Sequence, residues 1–303
     1  MTPEVSAVVV AYRTAGLLPR CLDALDAAAG GLALERIVVD NASGDGTAAL
    51  VGARAGVRLV SNDTNRGFAA AANQGARVAS GRFVLFLNPD ARPAPGSLEA
   101  LVAALRATPE AGLASPRLVW PDGTPQPSAW LAPSLATLAF EALRLWNLRP
   151  RSRLDHLESI QGPPFAVPCV CGACLLARPA CFDALGGFDE RFFLYHEDWD
   201  LCLRARVAGW SCLLVPEASA VHERGGSAFQ DRADFWRRYT ESRDLLIRRH
   251  FRGARRPPAL LLHRLGLRAQ AFAFRVAGRP EESRHVSAAR RALPSLTARS
   301  RGC

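Results

Sequence analysis

The sequence predicts an α/β protein built on a mostly parallel central sheet, and three observations carry that reading. Short apolar runs alternate with segments of helical periodicity from Val5 to Ala107, the pattern of βαβ units. The first run, Val5–Ala11, is apolar but for Ser6, as strands buried on both faces are. Four successive runs end in polar, turn-forming residues, and strand ends of this kind gather on the ligand-binding rim of an open α/β sheet.

The elements follow in order. After the first strand, residues 17–29 place apolar side chains at helical spacing. Residues 36–39 are β-branched and end at Asp40, followed by Asn41-Ala42-Ser43-Gly44-Asp45-Gly46. Residues 44–53 predict a short helix, 57–60 a third strand, and 67–79 an Ala-rich helix. Residues 82–87 form a fourth strand that runs into Asn88-Pro89-Asp90, and Ser97–Ala107 a further helix. Residues 120–168 are rich in Pro and Trp and read as a variable insertion, with a short helix over 135–146. Regular structure resumes with a strand at 170–177, a helix at 197–208, a strand at 211–215 and a long helix at 229–250. The expected organisation is one domain over residues 1–250 and a basic helical C-terminal extension over 251–303.

Composition narrows the class. The chain has 303 residues, 49% of them apolar and 22% charged, which excludes a disordered, collagenous or disulfide-knot protein. No apolar run reaches the roughly 18 residues of a membrane span. The N-terminus lacks the basic start of a signal peptide, so a cytoplasmic location is expected. The net charge of +10 is unevenly spread. All 38 basic residues are Arg; residues 248–303 hold 14 of them against Glu281 and Glu282, a local +12, while residues 1–247 carry −2. Such a tail suits a polyanion, either anionic lipid or nucleic acid. The eight cysteines include Cys169, Cys171 and Cys174 in one run, without the second pair or histidines of a zinc site. They are expected as reduced, buried thiols.

The chemistry is concentrated in two places. No GxGxxG follows the first strand and there is no Walker A loop, which disfavours a classical dinucleotide fold or P-loop. A nucleoside diphosphate could still be held through a divalent cation, which wants hard oxygen ligands, and Asp90, at the tip of a buried strand, is well placed for that. Further on, His196-Glu197-Asp198-Trp199-Asp200 sets three carboxylates at a helix start. Helix N-terminal charge accounts for one or two acids. Clustering also raises carboxylate pKa values, as a general base requires, and spacing alone leaves both readings open.

Six stretches together carry a family resemblance: VSAVVVAYRTAGLLPRCLDAL, IVVDNASGDGT, NRGFAAAANQG, FVLFLNPD, GACLLARPACFDALGGFDERFFLYHEDWDLCLRARVAGW and VHERGGS. In order and spacing across residues 4–228 they resemble the family 2 inverting glycosyltransferases of the GT-A fold, a Rossmann-like nucleotide-diphospho-sugar transferase architecture. The bacterial rhamnosyltransferase-like branch is the most similar. The resemblance implies an inverting, metal-dependent hexosyltransferase that moves one sugar from a nucleotide sugar to a hydroxyl of a glycan or polyprenol-linked acceptor, in cell-surface polysaccharide synthesis. Rhamnose is the first expectation for that sugar. It implies that Ala11, Tyr12, Asp40, Asn65, Asn88 and Asp90 line the nucleotide site. Asp90 and His222 would hold Mg²⁺ or Mn²⁺, Asp198 would be the catalytic base beside Glu197, and Gly186-Gly187-Phe188-Asp189 would line the acceptor side. Two departures matter. Asn88 replaces the first carboxylate of the DxD motif, and QDRADFW from Gln230 lacks the QxxRW of processive synthases, which points to single-sugar transfer.

Two other functions remain: a metal-dependent nucleotidyltransferase that makes sugar nucleotides, and a polyanion-binding protein acting through its tail. In that tail a helix over 257–278 would align Arg264, Arg268 and Arg275 amid Leu260, Leu261, Leu262, Leu265, Leu267, Phe272, Phe274 and Val276. Such a helix suits an anionic membrane surface, placing the protein peripherally on the inner face of the cell membrane. Packing of the same helix on the catalytic domain is the alternative.

Overall fold

A computed structural model describes residues 2–145, 162–223 and 231–296. The Arg-Gly-Gly-Ser half of the VHERGGS stretch, Gln230 and part of the 120–168 insertion lie outside the described residues. In chain order the elements are β1 (Val5–Ala11), α1 (Leu18–Ala29), β2 (Leu34–Asp40), α2 (Thr47–Gly52), β3 (Val57–Ser61), α3 (Phe68–Val78), β4 (Phe83–Leu87), β5 (Ala91–Pro93) and α4 (Ser97–Ala107). They continue with β6 (Ala111–Val119), β7 (Pro125–Gln126), β8 (Ala129–Trp130), α5 (Leu135–Ala142), β9 (Phe165–Val167), β10 (Cys169–Val170), β11 (Cys174–Ala177), α6 (Pro179–Ala184) and α7 (Glu197–Val207). Last come β12 (Ser211–His222), α8 (Arg232–His250), α9 (Arg256–Val276) and α10 (Pro280–Ala292).

The chain divides into two compact units. The first comprises Met1–Trp130, Arg153–Phe193 and Glu197–Ser227; the second comprises Leu131–Ser152, Leu194–His196 and Ala228–Cys303.

The first unit is the α/β body, a mixed sheet in the order β3-β2-β1-β4-β11-β6-β12-β5. β1 pairs in parallel with β2 and β4, and β2 with β3, so the ends of these strands share one rim. β11 runs antiparallel between β4 and β6. The period-2 alternation of strand side chains divides the core in two. Val9, Val38, Leu85 and Leu87 face one layer with Leu22, Leu25 and Leu101. Val8, Val10, Ile37 and Phe86 face the other with Ala69, Ala72 and Leu201. Phe86, Phe182 and Phe188 pack ring to ring within the second layer.

Three features differ from the sequence expectation. The strand expected over 170–177 is broken at Gly172 into β10, which pairs with β8, and β11, which pairs with β4. β12 continues past Pro216 to His222 through a register shift between Val215 and Ser219. β6 and α6 carry no alternation or capping signal strong enough to announce them.

The second unit is helical. α5, α8 and α9 bury Leu138, Ile247, Phe251, Ala259 and Leu260 together. α9 and α10 bury Leu267, Ala271, Val286 and Leu293 against Trp236 and Phe274. All seven described cysteines are buried and unbridged, as expected of reduced thiols.

Candidate active site

The carboxyl ends of β1 to β3 are held together by amide side chains. Ala11 and Asp40 are register partners, both buried, and the Asp40 carboxylate accepts the Ser43 N–H at 3.1 Å. Asn41 is the centre of this rim. Its Nδ2 donates to Asn65 Oδ1 at 2.8 Å and to the Gly67 carbonyl at 3.2 Å. Its Oδ1 accepts from Asn62 Nδ2 and the Arg66 N–H, each at 3.0 Å. Asn65 therefore shapes the loop beside Asp40, and Asn41, unassigned from the sequence, holds Asn65 in place. Arg13, with its guanidinium 5.2 Å from the Tyr12 ring, and Ala42 both adopt the left-handed conformation. L-residues rarely do so outside sites where the surrounding structure enforces it.

The Asn88-Pro89-Asp90 turn lies on the same body. The Asn88 N–H donates to the Ala173 carbonyl at 2.9 Å, which ties the turn to the Gly172-Ala173 break. Asp90 Oδ1 stands 3.5 Å from His222 Nε2. β5 against β12 brings them together, with Ala91 the register partner of His222. On its other side His222 Nδ1 lies 2.7 Å from Gln126 Oε1. Asp90 and His222 present an oxygen and a nitrogen to one small space, a donor pair that fits a divalent cation completed by diphosphate oxygens. Among the described residues no group of three or more His, Cys, Asp and Glu side chains is placed to hold a metal ion. A cation held by this pair would need diphosphate or water oxygens to complete its coordination.

The three carboxylates at the start of α7 are separated by the fold into different tasks. Asp198 Oδ2 accepts the Gly172 N–H and Oδ1 the Trp199 N–H, each at 2.8 Å. Two main-chain donors aimed at one carboxylate suit its ionised form. A side chain at Gly172 would meet the Asp198 Cβ at 2.9 Å, so the close approach needs glycine there. Asp200 is fully buried and paired with Arg204 at 2.7 Å, and Arg204 also donates to the Leu185 and Gly187 carbonyls. Asp200 therefore anchors the Gly186-Gly187 turn. Glu197 is buried, and its Oε2 has no hydrogen-bond partner among the described residues. Burial, then the charges of Asp198 and Asp200, raise its pKa to about 8. Burial and the neighbouring charges thus favour the protonated form of Glu197, while Asp198 takes a main-chain donor on each of its oxygens.

The Gly186-Gly187-Phe188-Asp189 turn is fixed from α3. Asn73 Oδ1 accepts the Phe188 N–H and its Nδ2 donates to the Phe188 carbonyl, both at 2.9 Å. Trp199 packs at a tilt against Trp130, ring centroids 5.5 Å apart, which sets an aromatic pair beside the acids of α7. The Asp90 turn and Asp198 are thus tied to adjacent residues of the Gly172-Ala173 break. The Asn41 and Asn65 rim and the Asn73-held turn flank the same β1–β4 edge through α3.

Comparison with known proteins bears on the family and the fold. Residues 6–181 match the family described as Glycosyl transferase family 2. An N-acetylglucosaminyl-diphospho-decaprenol L-rhamnosyltransferase of Mycobacterium tuberculosis is 35% identical over 251 residues, 77% of this chain and 80% of that protein. The mannosyltransferase PcManGT from Pyrobaculum calidifontis, solved with GDP-Man and Mn²⁺, superimposes with a TM-score of 0.59 at 20% identity, covering 95% of this chain and 86% of its own. TarS 1-349 of S. aureus, solved with UDP-GlcNAc, gives a TM-score of 0.53 at 15% identity, covering 95% and 91%.

Proposed function

The chain belongs to glycosyl transferase family 2 and has the GT-A fold, and from that premise we propose that it transfers a single rhamnose from a nucleotide sugar to a hydroxyl of a polyprenol-diphosphate-linked acceptor. Membership sets aside the nucleotidyltransferase and the polyanion-binding protein as primary functions. The 35% identity to a rhamnosyltransferase over most of both chains supports the sugar and the acceptor class.

The observation that carries the reaction type is the placement of Asp198 at the start of α7, held by two main-chain donors. Asp198, held by Gly172 and Trp199, accepts the proton of the acceptor hydroxyl as its oxygen attacks the anomeric carbon. One displacement breaks the bond to the diphosphate and inverts the anomeric centre. Burial favours the protonated form of Glu197, which lessens the negative charge beside Asp198. Ala11, Tyr12, Asp40, Asn65 and Asn88 line the nucleotide end. Asp90 and His222 hold Mg²⁺ or Mn²⁺, which supplies positive charge to the departing diphosphate. The Gly186–Asp189 turn faces the acceptor. The test is incubation with a panel of nucleotide sugars and a polyprenol-diphosphate N-acetylglucosamine, with the anomeric configuration of the product read by NMR. An inverted rhamnoside supports the proposal. A retained configuration, or sugar nucleotide formed from nucleoside triphosphate and sugar phosphate, refutes it.

The helical unit supports a place at a membrane. α9 spans Arg256–Val276 without an acidic residue. Four of the seven exposed large apolar side chains among the described residues, Leu261, Leu265, Phe272 and Val276, lie on it. At 100° per residue they fall within an arc of about 60°, bordered on one side by exposed Arg268 and Arg275 within about 40° of its edge. Arg264, expected on the same stripe, is half-buried and donates to the Pro294 carbonyl. An apolar stripe with cations and no acids complements an anionic bilayer surface, so the protein works as a peripheral protein on the cytoplasmic face. Co-sedimentation with vesicles containing phosphatidylglycerol, lost in Leu265→Ser/Phe272→Ser and weak with phosphatidylcholine alone, is the expected result. Equal sedimentation of the variant refutes this docking. No helix among the described residues is long and apolar enough to cross a membrane.

A further inference from the structure

Gln126 lies in the segment that reads from sequence as a variable insertion, yet it is 2% exposed and touches His222 twice. β7 seats it opposite Leu118 on β6, and β6 in turn pairs with β12, which carries His222. Its Nε2 donates to the His222 main-chain carbonyl at 3.1 Å, and its Oε1 lies 2.7 Å from His222 Nδ1. The two contacts fix each other. A main-chain carbonyl can only accept, so the amide atom facing it is the nitrogen. The amide oxygen then faces Nδ1, and because that oxygen can only accept, Nδ1 must carry the hydrogen. In the neutral ring Nε2 is left with its lone pair, directed toward Asp90 Oδ1 at 3.5 Å.

We propose that Gln126 is a positioning residue of the cation site: it locks His222 in the Nδ1–H tautomer and presents the Nε2 lone pair beside Asp90 for a divalent cation. The inference rests on the reading of Asp90 and His222 as the metal-binding pair. Its physical basis is general. A metal-binding imidazole is oriented by the acceptor on its other nitrogen, and losing that acceptor typically costs about 10- to 100-fold in metal affinity. Gln126 acts through His222, and both residues are buried, so water is a poor substitute for the lost amide.

The experiment has two arms. In the first, long-range ¹H–¹⁵N spectra of the cation-free wild-type protein, recorded over a pH series until the ring is neutral, are assigned against His222→Ala. His222 is expected as the Nδ1–H tautomer. An Nε2–H ring overturns the proposal without any need for a folded Gln126 variant. In the second, Mn²⁺ binding is titrated in the presence of nucleoside diphosphate. Gln126→Leu should weaken Mn²⁺ by about 10-fold or more and give a mixed tautomer. Gln126→Glu, which keeps an acceptor for Nδ1–H, should hold the tautomer. Unchanged Mn²⁺ affinity in a folded Gln126→Leu protein overturns the proposal, provided His222→Ala does weaken it. If His222→Ala also binds Mn²⁺ normally, the cation site itself is wrongly placed.

Discussion

Replacing Asp198 with Asn tests the α7 assignment most directly. The perturbation is nearly isosteric, and its consequences follow from the two main-chain donors at 2.8 Å. An amide offers one oxygen, so one of the Gly172 and Trp199 N–H groups keeps an acceptor and the other meets an –NH₂. The lost bond costs about 1–3 kcal/mol of stability, since the orphaned donor is partly buried. Catalysis loses more. A positioned general base contributes about 10²–10⁴ in rate, or about 3–5 kcal/mol at 1.36 kcal/mol per tenfold. The expected variant is folded, melts somewhat earlier, binds nucleoside diphosphate within a few-fold of wild type and transfers sugar at least 100-fold more slowly. Single-turnover transfer, read beside calorimetric nucleotide binding, separates these effects. Retention of a tenth of wild-type transfer would show that the proton goes elsewhere, with Glu197 the remaining candidate, since Asp200 is occupied by Arg204.

Three other outcomes follow from the same geometry. Asp90→Ala should weaken Mn²⁺-dependent binding of nucleoside diphosphate, and His222→Ala should do so by less; calorimetry with and without Mn²⁺ reads both, and an unaltered metal dependence removes Asp90 from the site. Because Glu197 is raised in the fold to about 8, the stability that its protonation confers is complete below the unfolded value near 4.5 and is lost as pH rises through about 8. Glu197→Gln should therefore gain melting temperature over wild type as pH rises from 5 to 8, and parallel melting curves would exclude the shift. Gly187→Ala forces a left-handed alanine at φ +75° with its Cβ 2.6 Å from Asn73 Oδ1, which should destabilise by about 2–4 kcal/mol in urea melts; a cost below about 0.5 kcal/mol would mean that the turn repacks freely.

The alternating half of the fold was legible because its strands are apolar on both faces and its helices periodic; Ser97–Ala107 was placed to the residue. β6 was not. Its sequence, AGLASPRLV, is short of β-branched residues and contains a proline, and it becomes a strand because β11 and β12 pair with it on either side. Pro216 likewise hid the second half of β12, where a register shift carries the chain past it to His222. The break at Gly172 was invisible for a third reason. A continuous Val170–Ala177 strand satisfies local pattern, and only the pairing of β10 with β8 interrupts it.

The same division runs through the site. Asp40, Asn65 and Asp90 stand at strand ends and could be named from where the strands stop. What distinguishes Glu197 from Asp198 could not, because adjacent acids at a helix start look alike in sequence. They part only when the Gly172 N–H, displaced by the strand break, meets one of them and the interior closes over the other. The irregularity that defeated the strand assignment is therefore also what turns the Gly172 N–H onto Asp198. A straight strand would spend the Gly172 N–H on a neighbour in the sheet and take it from Asp198. Gln126 belongs to the same class of residue. Nothing in PDGTPQPSAW marks it as chemical until a two-residue strand sets it beneath a histidine almost a hundred residues away.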